Sequence, residues 1–524
     1  MNNIKFYMKK AFLLCCLAVA GSWISAQSYF DITRFGAKKD SSAKATAAIA
    51  KAIKAASAAG GGTVYFPAGK YLTGPIHLKS NITLLIDAGA ELHFSDDFDD
   101  YLPMVESRYE GVDVTSFSPL FYANGVENIA ITGRGTLYGH GKKWWDFVEG
   151  YKEGQPRSKW QLEFDRLNKN ILLPDDPKQM KRGFLRPPFI QFMHSKNILI
   201  QGITIRNSPF WTINPQFCDN VTVHAVTIIN PGRNAPNTDG INPESCRNVH
   251  ISDCHISVGD DCITIKSGKD APGRAKARPA ENYTITNCTM LSGHGGVVIG
   301  SEMSGGVKKI AISNCIFDGT DRGIRIKTTR GRGGVVEDIR VSNIVMKNIG
   351  QQAIVLDMEY AKAPEEPVSE RTPRFRNIRL SNITAYTKEA MYVNGLKEMP
   401  VSEISLNDVV FEAERGITLK NAADISFSNV RVNTQTGPAL KADATERLTI
   451  LNFEAARLPA DVPLLRLNDV KGARIQDCWP FDRAQQFAEI TGAETEHLLF
   501  EDNVVTNEQI RLGSEVKKEA VKMD

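Results

Sequence analysis

The sequence predicts an all-β, single-domain fold, a right-handed parallel β-helix (solenoid) with a helix capping its N-terminal end. Three observations lead there. A short phrase of alternating apolar residues recurs at intervals of about 21 to 39 residues over most of the chain, which marks a solenoid with loops of variable length. Asparagines return at one phase of that repeat, as Asn287, Asn314, Asn343, Asn382 and Asn429. After Gly60-Gly61-Gly62 almost no helical period reappears before the C-terminus. Strands this short cannot bury a core alone. Stacked coil upon coil, about 4.8 Å apart, they bury alternate side chains in one column and pair the inner backbone groups.

Taken in order, the chain opens with Lys5, Lys9 and Lys10, an apolar run over residues 11–20, and Ser25-Ala26. This is the order of a secretory signal over residues 1–26, with an apolar run too short to span a membrane. It implies export, to the periplasm or the medium. Residues 30–37 read as a short strand and turn, and residues 43–58 as an alanine-rich helix stopped by the glycines. That helix would cover the open end of the solenoid, whose edge strands need protection. Strands then follow from Thr63, with phrases such as Asn128-Ile129-Ala130-Ile131, Asn197-Ile198-Leu199-Ile200 and Asn248-Val249-His250-Ile251, down to Leu448-Thr449-Ile450. The β-helix domain covers residues 27–512, and residues 513–524 form a charged tail expected to fray. The recurring asparagines read as a ladder of amides at a coil corner. Two stretches break the rhythm. Residues 144–186, with Pro156, Pro174 and Pro177, form an excursion beside the cleft, and residues 269–281 carry Arg274, Lys276 and Arg278.

With 63 basic and 60 acidic residues the net charge is +3, without a block of one sign, so nothing marks a nucleic-acid surface. Cys15 and Cys16 leave with the signal, and the seven remaining cysteines are an odd number, so at least one is unpaired. Cys254, Cys288 and Cys315 share one phase of the repeat, as stacked, buried thiols would. The spacings of a zinc site are missing, and no metal or cofactor is expected.

The chemistry gathers on successive coils. Asn237-Thr238-Asp239-Gly240-Ile241-Asn242 is answered one repeat later by Val258-Gly259-Asp260-Asp261-Cys262-Ile263. Each alone is ordinary: the first is a good turn sequence and the second a common surface pair. Because each coil returns the chain to the same side, Asp239, Asp260 and Asp261 are followed in register by His294 in Gly293-His294-Gly295, then by Arg325 and Lys327, then by Tyr360. Breaking a glycosidic bond takes one carboxylic acid to protonate the leaving oxygen and another carboxylate to activate water or attack carbon. Arg325 and Lys327, two apart and so on one strand face, suit an acidic sugar. Adjacent aspartates on a regular strand point to opposite faces, so the chain must bend at Asp260-Asp261, which Gly259 would allow.

With Asn237-Thr238-Asp239, Gly259-Asp260-Asp261, Gly293-His294-Gly295 and Arg325-Ile326-Lys327 in this order, the sequence resembles the polygalacturonases of glycoside hydrolase family 28 over roughly residues 30–450. The resemblance implies hydrolysis of α-1,4-linked galacturonic acid in pectin with inversion. It implies Asp260 as general acid, Asp239 and Asp261 as activators of water, His294 as keeper of the acid's proton, Arg325 and Lys327 as binders of the sugar carboxylate, and Tyr360 as a substrate contact. The expected partner is a pectic polysaccharide or oligogalacturonide. The loops near Arg274 and Trp144 suggest a cleft closed at one end, hence exo action. Other readings are a hydrolase of rhamnogalacturonan or a branched pectin, a calcium-dependent β-helix pectate lyase, and a sugar-binding protein without turnover. The oligomeric state is not legible.

Overall fold

In a computed structural model, residues 29–150, 155–169, 171, 184–480 and 486–523 are described; the signal expected over residues 1–26 lies outside them. The chain winds as a parallel β-helix. In one stack, Phe121–Asn124, Ile190–Met193 and Ile213–Gln216 pair in parallel. Bridges at Ile241 and Glu244 continue it to Ile263–Ile265, Val297–Gly300 and Ile324–Lys327, and then to the ends of the long strands Val335–Asp357 and Arg374–Asn394. The register puts Ile213, Ile241, Ile263, Val297, Ile324, Ile354, Met391 and Ile417 one above another, all buried. This is the period-two column that the alternating phrases predict. The residues between them face outward, and the candidate site is built on this outer face.

Residues 40–44 form a strand against Gly69–Thr73, so the N-terminal helix begins later than expected, at α1 (Thr46–Ala58), and lays Ile49, Ala52, Ile53 and Ala56 on the first coil. Among the described residues, three further helices form in the excursions: α2 (Lys142–Glu149), α3 (Lys159–Asn168) and α4 (Asp270–Lys276). Trp144 on α2 is fully buried among Phe98, Tyr101 and Phe117 and so does not line the cleft. The tail is not frayed in this fold: Val521–Met523 pairs with Glu496–Glu501, and Val516 and Ala520 are buried against the last coil, which would otherwise end in an exposed edge.

The asparagines form two ladders, all at positive φ, a conformation that suits Asn at tight corners. In the expected one, Asn382 donates to Asn343 at 2.8 Å and Asn343 to Asn314 at 3.0 Å, whereas Asn287 donates to Asp253 at 3.4 Å and Asn429 to Asp408 at 3.0 Å. A second runs through the asparagines that open the phrases, Asn128, Asn197, Asn220, Asn248 and Asn282, each donating to the coil before at 2.8–3.1 Å. All seven described cysteines are free and buried.

Candidate active site

The turn carrying Asp239 is tied to the next coil by Thr238. Its hydroxyl donates to the Ala235 carbonyl at 2.7 Å and accepts from the Gly259 amide at 3.1 Å. Residues 258–261 leave the strand conformation, as two adjacent functional aspartates require. Gly259 is needed there for close approach, since a Cβ would stand 2.2 Å from the carbonyls of Ala235 and Gly232. The glycines beside His294 also serve the fold. A Cβ on Gly293 would meet the Asp260 carbonyl at 2.5 Å, and one on Gly295 would meet Val298 at 2.5 Å and an Asp261 carboxylate oxygen at 3.3 Å.

These turns bring Asp239, Asp260 and Asp261 together, with a carboxylate oxygen of each within 4.8 Å of the others. That is closer than the gap of roughly 6.5 to 9.5 Å expected of an inverting pair. Asp239 accepts from Asn242 at 3.1 Å and from Thr264 at 3.2 Å. Its burial, reinforced by the neighbouring charge of Asp260, raises its pKa well above the usual carboxylate value. Asp260 lies opposite His294 Nδ1 at 3.2 Å and accepts from the Asp261 amide at 2.8 Å. Burial pushes its pKa up, but the His294 bond and charge outweigh that and leave it lowered, while the same bond raises His294. Asp261 accepts from Lys327 Nζ at 2.9 Å. Such a trio of oxygens resembles a cation site, yet Lys327 already brings a positive charge to it.

Tyr360 joins the group from the far side, with Arg325 Cζ and Lys327 Nζ each 5.3 Å from its ring centre. All seven residues singled out in the sequence therefore meet in one cleft. Lys327, expected to hold a sugar carboxylate, also pairs with Asp261, a contact that was not expected. Several neighbours went unread. Asn242 and Thr264 hold Asp239, and Lys266 lies two residues beyond Thr264 on the same strand face, so the period-two argument used for Arg325 and Lys327 would have found it. Lys266 Nζ bonds Glu302 at 2.6 Å and lies 4.9 Å from the centre of the Trp211 ring. Arg186, which donates to Asn237 at 2.8 Å and to the Pro236 carbonyl at 2.7 Å, carries no local sequence signal.

One end of the cleft is covered. The antiparallel hairpin Val105–Tyr109/Val112–Ser116 lies on the outer face of the preceding coils: Ser107 donates to Gln191 at 2.8 Å, Gln191 to the Arg108 carbonyl at 3.1 Å, and Arg108 Nε to Glu244 at 2.7 Å. Gln191, Asn214, Gln216 and Glu244 are fully buried beneath it. At the turn, a Cβ on Gly111 would stand 2.7 Å from Lys269, so the hairpin meets the loop leading into α4. Arg274 on that helix fastens the opposite loop, donating to the carbonyls of Gly331 at 2.8 Å and Arg332 at 3.0 Å. The closure expected near Arg274 and Trp144 is thus made by the hairpin with the α4 loop.

The family model described as "Glycosyl hydrolases family 28" matches residues 175–436, and one described as "Rhamnogalacturonase A/epimerase, pectate lyase-like" matches residues 29–153. The chain is 30% identical over 413 residues to a "Probable polygalacturonase" of Vitis vinifera, covering 77% of this chain and 78% of that protein. It is 31% identical over 393 residues to an "Endo-polygalacturonase" of Pectobacterium carotovorum subsp. carotovorum, covering 73% and 88%. Among solved structures, an exopolygalacturonase from Thermotoga maritima superposes with a TM-score of 0.69 at 34% identity, covering 77% of this chain and 91% of that one. The first family match spans the coils from Arg186 to Tyr360 that build the cleft, and with these relatives it shows that the chain belongs to glycosyl hydrolases family 28.

Proposed function

We propose that this glycoside hydrolase cleaves α-1,4-galacturonosidic bonds of polygalacturonate, releasing single sugars from a chain end. The observation that carries the reading is the carboxylate trio joined through Lys327 to Tyr360 and Arg325, on a face that the hairpin covers on one side. The hairpin covers the coil of Asn242 and Glu244 and meets Lys269 beyond the coil of Asp260-Asp261, while the side of Arg325 and Tyr360 continues along the solenoid. The cations on that side favour an acidic polymer. Relatives of both exo and endo description exist, so the hairpin is the argument for exo action.

In this reading Asp260 protonates the leaving oxygen, taking its proton from the Asp260–His294 pair, and Asp239 with Asp261 aligns the attacking water. Lys327 holds Asp261 in place, and Arg325 with Tyr360 binds the leaving side. Inversion follows from two carboxylates serving one water. The short separation of the trio favours a second reading, retention through a covalent intermediate. The first-formed anomer, read by proton NMR, separates the two. Export after Ala26 is part of the proposal, and N-terminal sequencing of the mature protein tests it.

The deciding experiment is digestion of de-esterified polygalacturonate, with chelator present and products resolved by size. Saturated monomer should appear from the start, and Asp260→Asn should lower kcat by about 10²–10⁴. Unsaturated products would turn the reading to a lyase. Binding without turnover would leave a sugar-binding protein.

A further inference from the structure

We infer that Arg330 is a positioning residue for Tyr360: by tying together the chain leaving three successive coils, it holds the tyrosine ring where the leaving side of the substrate docks. The inference rests on the role given to Tyr360 above. The strands Ile324–Lys327, Val335–Asp357 and Arg374–Asn394 end in register, with Lys327 beside Asp357 and Asp357 beside Asn394. The chain leaves the sheet after each. Arg330 follows the first strand, Glu359 the second and Glu398 the third. Arg330 Nη1 donates to Glu359 at 2.9 Å, while Nε and Nη2 hold the two oxygens of Glu398 at 2.6 and 3.1 Å. Two parallel bonds to one carboxylate fix direction as well as distance. The Arg330 side chain is 8% exposed, so water competes little for these bonds.

Tyr360 needs such a support. It is 47% exposed, and residues 358–373 form no strand, so no ladder of backbone bonds sets its ring. The segment after Lys327 steadies it instead. The Tyr360 amide donates to the Thr328 carbonyl at 3.0 Å, and the Thr329 hydroxyl to the Ala361 carbonyl at 2.8 Å. Glu359, the residue before Tyr360, is anchored as well. Its amide donates to Asp357 at 3.0 Å, and its carboxylate accepts from Asn394 at 3.3 Å besides Arg330. Burial would push the Glu359 carboxyl up, but the bonds from Arg330 and Asn394 outweigh it and leave it lowered, and the Arg330 bond lowers Glu398. Both acids therefore stay ionised partners of the guanidinium. The ring held in this way stands 5.3 Å from Arg325 Cζ and from Lys327 Nζ. Arg330 lies three residues beyond Lys327, so the clamp and the cations that face the ring share one short segment. Without the clamp, ordering the ring would have to be met on binding, at a cost in affinity.

The test is a double-mutant cycle between Arg330 and Tyr360, read as kcat and KM on trigalacturonate. Arg330→Gln should raise KM by about three- to tenfold, the size of one lost hydrogen bond, and change kcat by less than about twofold, as loss of uniform binding does. Arg330→Lys should raise KM less, since it keeps the charge but not the fork. In a Tyr360→Ala background, Arg330→Gln should leave KM within about twofold, because the residue it positions is gone. Glu398→Gln loosens the same clamp with Arg330 in place and serves if Arg330→Gln does not fold. It should raise KM in the wild type and leave it unchanged in the Tyr360→Ala background. Effects that multiply in the double variant, or a fall in kcat with KM unchanged, would overturn the inference and mark Arg330 as structural. An unchanged KM in Tyr360→Ala would end the role given to that residue, and this inference with it. A raised KM in Tyr360→Ala beside a wild-type KM in Arg330→Gln would end only the inference. Absence of hydrolysis by the wild type would end the proposed function itself.

Discussion

Asp260 and Asp239 differ by one coil in position and lie on opposite sides of the ordinary carboxylate range, for physical reasons that set a pH profile. Asp239 is buried beside another carboxylate, so its pKa is raised above 3.8 and it binds a proton first as pH falls. In its proposed role as a water activator it must be ionised, so activity should be lost on the acid side at a pH above that of a free aspartate. The Asp260–His294 pair keeps its proton until pH passes the raised value of His294, above 6.5. The alkaline limb should therefore lie above the ordinary histidine range, and these limbs are properties of the coupled group rather than of single residues. In His294→Gln, Asp260 loses the proton store, and the alkaline limb of kcat/KM should move to lower pH. An unmoved limb would show that the acid is supplied elsewhere. Asp239, Asp260, Asp261 and His294 were legible because each sits in a short motif. Their hydrogen-bond partners were not, because a partner is defined by the stacking of coils rather than by neighbours in sequence.

At the scale of elements, the Val105–Ser116 hairpin has the largest consequence. It has no helical or solenoid signature, and nothing in its sequence says that it will lie over strands up to more than a hundred residues later. Its anchor is Arg108, 1% exposed, paired with the fully buried Glu244 on one side and the exposed Asp113 on the other. Removing one partner of a buried pair leaves the other charge uncompensated, at a cost of about 3–5 kcal/mol. Arg108→Ala should loosen the hairpin. In polymer digestion early products should shift from monomer toward longer oligomers. If monomer remains the sole product of a folded variant, some other element closes the cleft. The asparagine ladders show a complementary case. The phrase-opening asparagines were visible in sequence, but their role as a second ladder follows only from the register, which aligns Asn128, Asn197 and Asn220 on consecutive coils.

For the whole molecule, stability comes from coil stacked on coil, and the seven described cysteines contribute as small buried hydrophobes rather than as crosslinks. Adding a reductant should therefore leave the midpoint of thermal unfolding unchanged, and a fall would reveal a disulfide formed in the mature protein. What the sequence alone determined is the solenoid and the strip of chemistry on it. A period-two apolar phrase can bury its face only by stacking, and stacking by itself places residues one repeat apart side by side, so Asp239, Asp260, Asp261, His294, Arg325, Lys327 and Tyr360 could be assembled from spacing. What only the tertiary structure decided is what lies over that strip. The excursions return to coils unrelated to them by any period, so the covering of Gln191 and Glu244 by the hairpin and the pairing of Lys327 with Asp261 are set by three-dimensional packing, which local sequence pattern does not encode.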